Sequence, residues 1–237
     1  WLRRLESRHR AWRYRTRTDS AEIRWLRSTL RPGDVVVDAG AYKGGYTYWM
    51  RKAVGPEGRV YAFEPQPRLA GFLREMVGAF DWKNVTVESV ALCAERGRRT
   101  IHVPSRGPSQ RGSLVVERDG ARTYTVPTDS LDDFLARQEG PGNLALMKCD
   151  VEGNELELFR GAEQTLRAWA PRLLFECEAR FHSSDRVRRV VTWLRELGYR
   201  GSFFWDGELL PVTEFHPDLH QVEGRSPYAN NFVFESR

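Results

Sequence analysis

Short apolar runs alternate along this chain with longer stretches whose apolar residues recur at helical spacing. Val35-Val36-Val37 is β-branched and apolar throughout, the pattern of a strand buried on both faces of a parallel sheet. A helix is predicted from about residue 44 to 53, then a strand over 59–63 and a helix over 67–79. Val85-Thr86-Val87 gives a third strand running on toward Ala91, Leu144-Ala145-Leu146-Met147 a fourth, and Leu173-Leu174-Phe175 a fifth. Helices follow the last two, through Leu156 and Leu158 and over about 184–197. Ile23, Leu26 and Leu30 extend helical spacing through residues 1–30. Ser202-Phe203-Phe204-Trp205 and Asn231-Phe232-Val233-Phe234 predict a closing antiparallel hairpin. Strands alternating with helices imply right-handed crossovers, so the expected fold is α/β: a doubly wound, mostly parallel, seven-stranded sheet. A β-hairpin insertion around 98–127, with a Gly/Ser/Arg loop at 105–112, interrupts the alternation.

Composition adds little to that picture. The 237 residues are 41% hydrophobic and 29% charged, ordinary for a soluble domain. No stretch approaches the roughly 18 apolar residues of a membrane span. The chain opens Trp1-Leu2-Arg3-Arg4 without methionine, so a trimmed chain or a piece of a longer one is expected, and no apolar run follows as in a secretory signal. Cys93, Cys149 and Cys177 are too few and scattered for a disulfide framework, which makes the cytoplasm the default compartment. Charge is uneven. Residues 1–18 hold seven arginines against Glu6, +6 in a chain of net +5, leaving the remainder near −1. The expected division is a basic helical extension over 1–30 and one domain over 31–237. Such an extension suits a solvated helix face or a lid better than a nucleic-acid partner. Nothing in the sequence assigns an oligomeric state.

Ligands of doubly wound sheets bind beyond the carboxyl ends of the strands. Three features fall there: Asp38-Ala39-Gly40-Ala41-Tyr42-Lys43-Gly44 after the first strand, Glu64 after the second, and Asp150-Val151-Glu152-Gly153 after the fourth. The spacing D-x-G-x-x-x-G is not the dinucleotide fingerprint G-x-G-x-x-G, which cradles a pyrophosphate. Acids beside one loose glycine loop suit S-adenosylmethionine, with Glu64 placed to accept hydrogen bonds from ribose hydroxyls. The alternative for Asp38, and equally for Asp150 or Glu152, is capping of the next helix.

Val36-Val37-Asp38-Ala39-Gly40-Ala41 through Gly44, Ala62-Phe63-Glu64-Pro65, Leu131-Asp132-Asp133-Phe134 and Lys148-Cys149-Asp150-Val151-Glu152-Gly153-Asn154-Glu155 together resemble the FkbM-type methyltransferase family over roughly 33–235. The resemblance implies a Rossmann-like class I methyltransferase fold, S-adenosylmethionine as donor, and O-methylation of a small molecule such as a natural product or sugar. Asp38, Gly40, Ala41, Gly44 and Glu64 would bind the cofactor, joined by Pro65, Ser89, Ala91 and Asp150. Tyr42 stands where the family usually has asparagine. Asp150, Glu152 and Glu176 are the candidate proton acceptors, with His182 in reserve. Asp150 and Glu176, at adjacent strand ends, are also the candidate ligands of a divalent cation. Lys148 could neutralise the acids, and Glu178 is expected to pair on the surface with Arg180 or Arg172. Methylation of nucleic acid or protein, and a non-catalytic binding module, are the other readings. Neither a G-x-S-x-G elbow nor a Walker loop is present, and Pro217 separates His216 from His220 on any continuous helix, which counts against zinc.

Overall fold

The computed structural model describes residues 12–103, 113–114, 122–140, 142–179 and 185–236. Within them a parallel core of β1 (Val35–Ala39), β2 (Arg59–Phe63), β3 (Val85–Glu88), β7 (Leu144–Cys149) and β8 (Arg172–Glu176) is extended by β9 (Tyr199–Trp205), β10 (Glu208–Pro211) and β11 (Asn231–Ser236). The order is β10-β9-β11-β8-β7-β1-β2-β3, with β11 antiparallel to both β8 and β9. Seven strands were expected. The main sheet has eight, because Glu208–Pro211 folds back antiparallel on β9. Its exposed, proline-ended sequence gave no strand signal.

Alternate residues of each central strand serve opposite faces. Val36, Val60, Ala62, Leu146 and Leu174 pack on one side with α1 (Ser20–Thr29), α2 (Gly45–Val54) and α3 (Pro67–Ala79). Val37, Tyr61, Phe63, Met147 and Phe175 pack on the other with α4 (Leu131–Ala136), α5 (Glu155–Arg160), α6 (Glu163–Trp169) and α7 (Asp185–Glu196). This two-sided burial is why the strands read as unbroken apolar runs. The helical stretch expected over the first 30 residues is divided among those described: a π-helical turn, Tyr14–Thr18, ends at Asp19, and α1 begins after it. Ile23 and Leu26 of α1 are fully buried.

The third run splits. Glu88 ends β3, and the chain leaves the main sheet so that β4 (Ala91–Leu92) pairs with β6 (Arg122–Asp129). β6 also pairs antiparallel with β5 (Gly97–Val103), from Gly97↔Thr128 to Val103↔Arg122. This three-stranded sheet is the hairpin expected around 98–127; its loop at 105–112 lies outside the described residues. Leu131-Asp132-Asp133-Phe134 joins it to the core. Ser130 accepts from the Asp133 N–H to cap α4, and the Asp132 carboxylate accepts from Gln164 and Thr165 N–H at the start of α6. Phe134 meets Tyr61 and Phe63 edge-on, with ring centres 5.2 and 4.9 Å apart. All three cysteines are free and buried.

Candidate active site

A cleft opens at the carboxyl ends of β1, β2 and β7, with about 590 Å³ of empty space, open solvent included. Gly40, Tyr42, Glu64, Pro65, Gln66, Asp150 and Glu152 form its polar end, and Val90, Ala91, Leu92, Ile101, Leu114 and Val151 its apolar end.

The polar end is built by backbone bonds between strand ends. Gly40 and Ala41 N–H both donate to the Phe63 carbonyl at 2.9 Å, and Asp150 N–H donates to Ala39 at 2.9 Å. Gly40 is in the left-handed region at φ +77°, and a Cβ there would lie 1.8 Å from the Asp150 carbonyl oxygen. Only glycine lets β1 and β7 close to this separation. Tyr42 is also left-handed, at φ +49°, which aims its N–H at Glu64 Oε2 at 2.8 Å. Gln66 N–H donates to Glu64 Oε1 at 2.9 Å. Glu64 is therefore clamped by two amides. Burial nevertheless pushes its carboxyl up to about 7, against the pull of those two bonds.

Beneath the cleft floor lies a buried charge cluster. Lys148 Nζ is 3.1 Å from Asp150 Oδ2 and 4.0 Å from Asp38 Oδ1. Burial works against the lysine charge, but Asp150 and Asp38 outweigh it and hold its pKa above the ordinary value. Its ammonium also lies 4.8 Å from the Tyr46 ring centre. Asp38 is fully buried, and its carboxyl is displaced upward by that burial, partly offset by Lys148 and by the Thr47 hydroxyl, which donates at 2.5 Å. Among the described residues Asp38 Oδ1 has no hydrogen-bond partner.

The segment after β7 divides its labour. Glu155 accepts from Gly153 N–H at 2.7 Å and pairs with Arg186 at 3.1 Å, and Asn154 donates to the Leu92 carbonyl at 3.1 Å. These bonds fix the turn that carries Glu152, itself left-handed at φ +49°, into the cleft wall. Ser113, from the insertion, donates to the Glu152 carbonyl at 2.6 Å. Neither Asp150 nor Glu152 caps α5, whose N-cap is Asn154.

Of the residues expected to bind cofactor, Gly40, Glu64, Pro65, Ala91 and Asp150 line the cleft. Asp38 lies beneath it, Ala41 is buried in the loop, Gly44 caps α2, and Ser89 is half-buried between β3 and β4. Of the expected proton acceptors, Asp150 and Glu152 line it. Glu176 ends β8, in register with Asn231, and is not part of the lining. His182 lies outside the described residues. Among the described residues no three His, Cys, Asp or Glu side chains converge to hold a metal ion, and Glu176, one of the two candidate cation ligands, is not among the residues that line the cleft. Glu178 is not in a surface ion pair with Arg172. It is buried and accepts from the Tyr228 hydroxyl at 3.2 Å, while Arg172 pairs with Glu235 at 2.7 Å. Arg180 lies outside the described residues. Tyr42 and Gln66, whose N–H groups hold Glu64, were not among the expected contacts, although each adjoins one of the two motifs in sequence. Ile101 and Leu114, brought in by the insertion, carried no local signal.

The methyltransferase FkbM domain model matches residues 38–200, which span the loop after β1, Glu64 and the Asp150 segment. The chain belongs to the FkbM methyltransferase family. The 2-O-methyltransferase NoeI of Sinorhizobium fredii (strain NBRC 101917 / NGR234) is 27% identical over 151 residues, covering 57% of this chain and 60% of NoeI. Among solved structures, the FkbM methyltransferase of Methylobacillus flagellatus KT superposes with a TM-score of 0.57 at 15% identity, over 90% of this chain and 50% of that one. Fibrillarin of Aeropyrum pernix, solved with natively bound S-adenosyl-L-methionine, superposes with a TM-score of 0.51 at 14% identity, over 87% and 68%. This FkbM family chain thus has the fold of S-adenosylmethionine-dependent methyltransferases, and it spans about half to three-fifths of the NoeI and Methylobacillus chains. Among the described residues no helix is long and apolar enough to cross a membrane.

Proposed function

We propose that this FkbM family member transfers the methyl group of S-adenosylmethionine to a hydroxyl of a small molecule such as a sugar or natural product. The observation that carries the reading is the cleft itself. An amide-clamped acid (Glu64), a glycine closed against Asp150, and an apolar end converge where three parallel strands finish. The residues fit this cofactor: Glu64 has lone pairs left for ribose hydroxyls, and the apolar end suits an adenine. The printed activity of NoeI, 2-O-methylation, supports oxygen as the acceptor atom.

The cofactor supplies a methyl already activated by its sulfonium. The chain must hold the acceptor hydroxyl in line with it, which can contribute several kcal/mol. As the acceptor oxygen forms its bond to the methyl carbon, the carbon–sulfur bond breaks and the hydroxyl proton must leave. We assign its acceptance to Asp150 or Glu152, the two carboxylates besides Glu64 that line the cleft. Lys148 keeps the Asp150 carboxylate from lying uncompensated in the floor.

The test is calorimetric titration with S-adenosylhomocysteine and, in parallel, NAD. Saturable binding of the former alone supports the reading, and binding of neither refutes it. Asp150→Asn should then retain S-adenosylhomocysteine affinity while methyl transfer to hydroxylated acceptors falls by about 100-fold or more. Full activity in that variant would remove Asp150 from the chemistry.

A further inference from the structure

A second groove lies on the outer side of α1 and α2 and shares no residue with the cleft. It holds about 840 Å³ of empty space, open solvent included. Three cations converge in it on one indole. The Arg15 guanidinium sits between Trp12 and Trp49, 5.2 Å from each ring centre. Arg27 lies 5.3 Å from Trp49. Lys52 lies 5.4 Å from Tyr48 and 5.8 Å from Trp49. No acid is among the described residues that line the groove, and none of the three cations is ion-paired among them.

Three like charges gathered around one side chain repel one another, and the ring faces offset only part of that repulsion. Arrangements that oppose stability in this way concentrate at binding sites. Arg15 rides on the π-helical turn, a geometry frequent at functional sites. Trp49 is buried, so its faces act as a platform that fixes the cations rather than as a surface for a ligand ring. Arg27 and Lys52 are exposed.

We propose that this groove binds a multivalent oxyanion of the phosphate class, independently of the methyl-transfer cleft. Guanidinium forks and an ammonium are the donors that match phosphate oxygens. The probe is inorganic pyrophosphate, titrated into the whole chain and followed by tryptophan fluorescence and calorimetry. Saturable binding is expected, weakened about tenfold by Arg27→Gln and further by adding Lys52→Gln, with no change in Arg195→Gln on the opposite face. The exposed positions leave the fold intact, which thermal unfolding checks. Vesicles containing phosphatidylglycerol separate the sources. Sedimentation that pyrophosphate competes away assigns a lipid headgroup, and binding of pyrophosphate without sedimentation assigns a soluble phosphate ester. Absent saturation, or equal binding in the double variant, would overturn the proposal. S-adenosylhomocysteine binding should be the same in the double variant, so this outcome is read separately from the cleft.

Discussion

Glu64→Gln isolates the ionisation on which the cofactor reading leans. The Glu64 carboxyl is 3% exposed, and burial raises its pKa from the ordinary 4.5 to about 7. Folding therefore favours the protonated form. The associated stability is fully present below about pH 4.5 and is lost as pH rises through about 7, a change on the order of 3 kcal/mol at roughly 1.4 kcal/mol per pH unit. Glutamine does not titrate. It also cannot accept from both Tyr42 and Gln66 N–H, because one of its two terminal atoms is a donor; that leaves one clamp unmade at about 1–3 kcal/mol. The variant should thus be less stable than the parent near pH 5, and the gap should close or invert by about pH 8. Urea unfolding of both proteins across this range measures the difference. Comparison with the variant cancels the other buried acids, among them Glu22, which burial also pushes up to about 7. Affinity for S-adenosylhomocysteine should fall about tenfold or more in the variant, since an ionised ribose partner is lost. In the parent it should rise with pH up to about 7, because the ionised carboxylate is the better acceptor. A stability gap that stays constant with pH would refute the raised pKa, and unchanged affinity would remove Glu64 from the cofactor site.

Gly40→Ala should cost at least about 3 kcal/mol in urea unfolding and abolish S-adenosylhomocysteine binding, because the left-handed backbone and the contact with Asp150 both exclude a methyl group. Lys148→Met should destabilise by about 3–5 kcal/mol at neutral pH by removing the buried ammonium that compensates Asp38 and Asp150. Adding Asp38→Asn to that variant should recover part of the loss, and a double-mutant cycle measures the coupling. Tyr42→Asn should raise stability by up to about 1 kcal/mol, since asparagine tolerates the left-handed region better and the backbone bond to Glu64 is kept; a lower midpoint of thermal unfolding would show that the Tyr42 ring contributes more than its backbone strain costs.

The parallel core was legible because its strands are buried on both faces: Val35-Val36-Val37 feeds Val36 to one helical layer and Val37 to the other. The small sheet was only partly legible. β5 and β6 bury only Ile101, Val103 and Val126 among their apolar residues, with Thr128 and Asp129, and their first four residues are exposed, so only a short stretch marks the cleft-facing Ile101. Glu176 was placed beside Asp150 by the rule that adjacent strand ends face one crevice. The local backbone decides otherwise. Asp150 N–H bonds to the Ala39 carbonyl of β1 and its carboxylate meets Lys148, whereas Glu176 ends β8 in register with Asn231 and is not among the cleft lining. A rule about strand ends carries no information on which neighbour a departing chain leans toward.

The same bonds explain why a motif of acids could not be ranked from its letters. In Lys148-Cys149-Asp150-Val151-Glu152-Gly153-Asn154-Glu155 the charges do two jobs. Lys148 compensates the buried Asp38 and Asp150. Glu155, fully buried with Arg186 and the Gly153 N–H, shapes the turn. Asp150 and Glu152 alone reach the cleft wall. Two cleft-facing carboxylates and one structural carboxylate share eight residues because the turn that presents Glu152 in a left-handed conformation is held by a buried acid, Glu155, that accepts from the Gly153 N–H. Glu155→Gln should therefore impair methyl transfer through the position of Glu152 rather than through proton transfer. It would lower stability and raise the acceptor KM while leaving the pH profile of kcat unmoved, whereas a shifted profile would make Glu155 itself part of the titrating machinery.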